Sequence, residues 1–162
     1  MIQRNKEFYI KGANAALQDE EIKEAIWQEN QKKKEYLKGY KMAINREKRI
    51  LDQIQKLRMD EMLPAMKYDD MPHGSNISDL SDYAVKMDEL LEELRQERME
   101  AITQYTKIYQ QIKRVKNERE RDLLTYRYLQ DKRWEEICGI MNISWKHIHR
   151  IHGESLKNFI MT

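Results

Sequence analysis

One cysteine, two prolines and five glycines among 162 residues leave several classes of protein without their raw material. A single thiol, Cys138, forms no internal disulfide, and no Cys/His set has zinc-finger spacing, so the chain must rely on an apolar core in a reducing setting. So few turn formers do not supply the tight turns of a β-sandwich or the Gly-rich loop of a nucleotide-binding sheet. Residues 1–18 carry Arg4, Lys6, Glu7 and Lys11, which breaks any secretory core, and no stretch is apolar for long enough to cross a bilayer. Neither acids nor bases dominate. Lys and Arg total 30 against 28 Asp and Glu, a net charge of +2, so the chain is no uniformly basic coat for nucleic acid.

What is present points to helices. Charged residues make up 36% of the chain and apolar ones 40%, and Glu, Lys, Gln, Leu, Met, Ile and Arg dominate. The expected fold class is all-α. Both prolines fall in residues 63–76 beside Asp69, Asp70, Gly74 and Asn76, a cluster of helix breakers that divides two amphipathic patterns. Before it, Leu37, Tyr40, Ile44, Leu51 and Ile54, widened by Tyr36, Ala43, Ile50 and Leu57, predict a helix over 31–62. After it, Ser78 or Ser81 can cap a helix in which Leu80, Met87, Leu94, Ala101, Ile108 and Val115 recur every seventh residue. Ala84, Leu91, Tyr105 and Ile112 follow four residues on, with Arg98 the exception. Such a helix, on the order of 55 Å long, needs a partner stripe, and the first helix supplies it as an antiparallel coiled-coil-like hairpin over 31–116, connected at 63–77. The stripe is wide enough for a second copy of the chain as well, so a homo-oligomer through the hairpin is expected. Residues 1–30 form an extension in which Ile22, Ala25, Ile26 and Trp27 can lie on a helix that either runs into Lys32-Lys33-Lys34 or breaks near Asn30. The lysine triplet reads as a solvated face.

From residue 117 the elements shorten into a three-helix unit. Asn117 can cap a helix over 118–129, a polar connection follows, and Trp134, Ile137 and Met141 mark a second helix. After Asn142-Ile143, Ser144 caps a third in which Ile148, Ile151, Leu156 and Phe159 or Ile160 face inward. Two short helices joined by so brief a turn are the layout of a helix-turn-helix, whose second helix enters the DNA major groove. Trp134, Ile137, Cys138, Ile143, Ile148 and Ile151 form its expected core, with Cys138 a small packing residue. Outward from the last helix stand Ser144, Trp145, Lys146, His147, His149 and Arg150, then His152 and Lys157. These are donors and ring systems suited to phosphates and base edges of double-stranded DNA. Histidine titration near pH 6.5 would make affinity rise as pH falls. A metal site is not expected, because only His149 and His152 share a face and no carboxylate completes the set.

Arg127-Tyr128, Trp134-Glu135-Glu136-Ile137, the run from Met141 to His152 and Ser155-Leu156 resemble region four of bacterial sigma factors, which reads the −35 promoter element. The resemblance spans about residues 117 to 160. It implies that Trp145, Lys146, His149 and Arg150 face bases and phosphates, and that RNA polymerase is a further contact. Sigma factors usually carry an Arg and an acid just after the capping residue, where this chain has Trp145 and Lys146, so the target need not be a −35 box. No sigma region two is recognisable. The whole chain is similar to phage and prophage proteins in which a helical hairpin with a Tyr36-Leu37 start and a Met71-Pro72-His73-Gly74-Ser75 connection precedes a sigma-like end. The RinA and ArpU groups of phage late-gene regulators are related in style. The implied role is a phage-encoded DNA-binding transcriptional regulator in the cytoplasm of a bacterial host. Its rivals are a small-terminase-like packaging protein and a helical protein adaptor. No phosphate loop, nucleophile elbow or His-Glu-x-x-His occurs, and no enzyme, cofactor or membrane partner is expected.

Overall fold

The computed structural model describes the backbone of residues 2–62 and 77–161 and the side chains of residues 18–60 and 80–161. All its regular elements are helical: α1 (Ile2–Met62), α2 (Ile77–Lys113), α3 (Glu118–Leu124) continued by a π-helical turn (Thr125–Leu129), α4 (Trp134–Met141) and α5 (Trp145–Asn158). The connection expected at 63–77 lies, but for its last residue, outside the described residues. α2 starts at Ile77, ahead of both serines proposed to cap it.

α1 and α2 pair antiparallel. Ile50 and Ile54 meet Leu94 with Met87 and Leu90 beside them, Tyr40 lies edge-on to Tyr105 at 5.2 Å, and Leu37 joins Ile108 and Ile112. Arg46 bonds Glu97 at 2.8 Å and Glu100 at 2.9 Å, and Arg98 bonds Glu47 at 2.7 Å. Partly exposed pairs of this kind are each worth about 1 kcal/mol or less, so apolar burial holds the hairpin and the ion pairs select its register. The stripe along α2 is covered only in part. Leu94, Ala101, Ile108, Ile112 and Val115 are buried, whereas Leu80, Leu91 and Tyr105, read as part of the same stripe, are exposed.

Carrying the register forward, the end of α2 comes level with roughly residue 32 of α1, and α1 extends beyond it as one unbroken helix. Of the two readings of the extension, the continuous one holds. Residues 18–29 are exposed all round, so no packing fixes them. Helix-forming side chains and spacing-four pairs, such as Gln28 with Glu24 and Lys33 with Glu29, support the helix there.

The C-terminal helices sit on the hairpin. Leu124, Tyr128, Leu129, Leu156 and Phe159 share one core with Leu37, Ile108, Ile112 and Val115 of the hairpin. Phe159 is fully buried and Ile160 is exposed, which decides between the two. Lys33 corrects the reading of its triplet as a solvated face. It is buried, and its Nζ donates to the Leu156 carbonyl at 2.9 Å. A cation supplied by α1 thus caps the end of α5, where the helix dipole favours positive charge. Around the junction of α2 and α3, Arg121 donates to the Val115 and Lys116 carbonyls, and buried Glu120 accepts from Asn158 at 2.8 Å. Backbone carbonyls of the link between α2 and α3 are thereby satisfied from α3.

Candidate nucleic-acid interface

Local chemistry sets the angle between α4 and α5. The Arg133 N–H donates to Glu136 Oε2 at 2.6 Å at the start of α4, with Glu135 and Glu136 in the first turn where acids are favoured. The helix stops at Asn142, whose φ of 52° lies in the left-handed region that Asn tolerates better than most residues. The Ile143 N–H then reaches back to the Cys138 carbonyl at 3.1 Å. Ser144, extended, caps α5 by accepting from the His147 N–H. Three residues thus separate the two helices. Beneath them Ile137, Ile148 and Ile151 are buried with Leu123, and Trp134, Cys138, Met141, Ile143 and Tyr126 close the cluster. Tyr126 belongs to the π-helical turn, which spacing rules for an α-helix over 118–129 do not anticipate: one extra residue in the turn shifts which side chains face inward.

On α5, Lys146, Arg150 and Lys157 fall on one stripe, within about 40° of each other around the axis, and all three are exposed. Arg150 is engaged within its own helix, bonding Glu154 at 2.9 Å and His147 Nε2 at 3.0 Å. Trp145 and His149 occupy a second flank. His149 lies 4.9 Å, centroid to centroid, from both Trp145 and Trp134. The Arg127 guanidinium sits over the Trp134 ring, 4.9 Å from its centroid. Ser144, Trp145, Lys146, His149 and Arg150 are therefore gathered at the exposed first turns of α5; His147 is half-buried beside them, and Lys157 stands about two turns on.

His152 is not on this surface. Expected to face outward, it is buried, with its Nε2 2.9 Å from the Tyr128 hydroxyl and its ring 5.0 Å from Trp134. Trp134 covers the face that His149 and His152 share, and among the described residues no group of three His, Cys, Asp or Glu side chains converges. Burial, followed by the charges of Lys34, His149 and Arg127, lowers the His152 pKa to about 4, and burial pushes the Tyr128 hydroxyl up to about 12. His152 therefore folds neutral and titrates well below the range in which it was expected to modulate DNA affinity.

Above pH 6.5 His152 is neutral in both folded and unfolded chains. Between pH 6.5 and 4 only the unfolded chain takes up the proton, so stability falls by up to about 3 kcal/mol, and below pH 4 this contribution is level. The expected outcome is a Tm that declines between pH 6.5 and 4, and a shallower decline in a Tyr128→Phe/His152→Leu variant, which leaves no orphaned hydroxyl. Equal slopes in calorimetry of the two proteins would refute it.

Among known families, residues 62–159 match one described as Protein of unknown function (DUF1492). The match begins at the end of α1 and covers α2 and all the later helices. No curated protein and no solved structure matches the chain significantly.

Proposed function

The chain belongs to the family of unknown function DUF1492, and on that footing we propose that it is a sequence-specific DNA-binding transcriptional regulator of phage or prophage origin. The observation that carries this reading is the pairing of α4 and α5 across a three-residue turn, with Lys146, Arg150 and Lys157 in one exposed stripe beside Trp145 and His149. A helix presented this way fits the major groove and offers donors to phosphates and guanine edges. The resemblance of residues 117 to 160 to sigma region four supports the same reading and adds RNA polymerase as a second partner. One such helix reads few base pairs, so specificity calls for two copies or for polymerase. Leu91, Ile102, Tyr105 and Tyr109 along the uncovered flank of α2 suit association of two hairpins.

The test is a fluorescence-anisotropy titration of the full chain, alone and with bacterial core RNA polymerase, against fragments from phage late-gene and packaging regions at physiological ionic strength. Saturable, sequence-selective binding is expected. Selectivity for packaging sites by rings of eight or more chains would favour the packaging role, and no selective binding in either format would move the reading to a protein adaptor. Glu154 gives a second check. It holds Arg150 within α5 and adds a negative charge close to the DNA, so Glu154→Gln is expected to tighten binding several-fold; unchanged or weaker binding in the same titration would contradict that role.

A further inference from the structure

We infer that Trp145 recognises the C5-methyl group of a thymine in the major groove, an inference that rests on the DNA-binding reading above. Trp145 is the first residue of α5, the part of a recognition helix that goes deepest into the groove. It is 52% exposed and belongs to no buried cluster of the described residues, so a large apolar ring is presented where the nucleic acid would lie. Nor is the ring loose. It contacts His149 edge-on at 4.9 Å; His149 packs on Trp134 at the same separation. Trp134 carries the Arg127 guanidinium, and Arg127 is tied to the Lys132 carbonyl at 2.9 Å. A relay of ring contacts anchored in the core of the unit thus holds the indole out from the helix.

The chemistry of the groove selects the ligand. Indole offers one N–H donor and no acceptor, and is otherwise apolar. Of the groups that base pairs display in the major groove, the thymine methyl is the apolar one. Trp145 lies about 100° around the axis from Lys146, so the cationic stripe can hold phosphates and base acceptors while the indole meets a methyl on the other flank. His149, between them, keeps the indole from folding back along α5.

The experiment enriches bound duplexes from a random pool with the full-length protein, then replaces each thymine of the recovered site by deoxyuridine. That exchange deletes the methyl and leaves the pairing intact. The wild-type protein is expected to lose about four-fold in affinity at one thymine per half-site, the worth of one buried methyl. Trp145→Ala is expected to bind both versions equally, at about the affinity wild type shows for deoxyuridine. The substitution is at an exposed position, and an unchanged thermal melt establishes that the variant is folded. A recovered site without thymine, a wild type indifferent to every exchange, or a Trp145→Ala protein that still distinguishes the two versions overturns the inference. A pool with no enrichment at all overturns the DNA-binding reading itself, and the inference with it.

Discussion

Lys146→Ala/Arg150→Ala is expected to weaken DNA binding by about two orders of magnitude or more, on the basis that each well-placed contact is worth roughly 1–3 kcal/mol. The two side chains stand one turn apart on the same exposed stripe of α5, so one patch of groove or backbone meets both. Neither contributes to the core, and the melting temperature should stay close to that of the wild type. Arg150 would exchange its bonds to Glu154 and His147 for DNA, which makes its contribution the smaller of the two if the intrahelical pair is strong. The dependence of affinity on salt separates the roles. A residue that neutralises a phosphate lowers the slope of log K against log salt by about 1 when removed, whereas one that reads a base relaxes selectivity at one position. Wild-type affinity in the double variant, measured by anisotropy, would remove α5 from the interface and favour the adaptor reading.

A fragment comprising residues 117–162 is expected to be unfolded, with little helical signal in circular dichroism and poorly dispersed NMR spectra. The spacing of residues 117–162 reads as a unit of its own, but Leu124, Tyr128, Leu129, Leu156 and Phe159 spend their apolar surface on Leu37, Ile108, Ile112 and Val115 of the hairpin. Cutting at residue 116 exposes that shared core and removes Lys33 from the end of α5. What remains is the small cluster around Ile137, Ile148 and Ile151, in a fragment near the size at which one core stops sufficing. In the full chain the same contact can be probed with Phe159→Ala. Deleting this fully buried ring costs about 3–5 kcal/mol, on the order of 10 °C in Tm for a protein of this size. A fragment that folds cooperatively, or a Phe159→Ala chain that melts with the wild type, would show that the two parts are separable. Through their shared core the hairpin sets the direction in which α5 points.

Much of this was legible from residue spacing. The three-and-four rhythm before the breakers and the seven-residue repeat after them pick out the facing sides of α1 and α2, with Leu51 and Leu80 the exposed exceptions, because a helix that packs must repeat its apolar residues at its own pitch. Asn142, Ser144 and the isoleucines around them mark the α4–α5 turn, because capping is decided by side chains within four residues. Spacing failed where the deciding partner is far along the chain or missing. His152 looked like a surface histidine because imidazole usually seeks water; the Tyr128 hydroxyl, 24 positions earlier, lets it be buried. Lys33 looked solvated because its partner carbonyl, on Leu156, is 123 residues away. Residues 18–29 gave no clear periodicity because nothing covers them, and a helix without a buried face carries no stripe to read.

Composition and periodicity alone thus sufficed for the all-α class, the two long helices on either side of residues 63–76 and a short turn ahead of Ser144, since each depends on backbone propensity and local hydrogen bonding. Three-dimensional packing decided which residues of the α2 stripe are buried, that the C-terminal unit shares its core with the hairpin, and which ring systems of α5 face outward. Those outcomes depend on the shape and polarity of surfaces brought together from distant parts of the chain, and no local pattern encodes them.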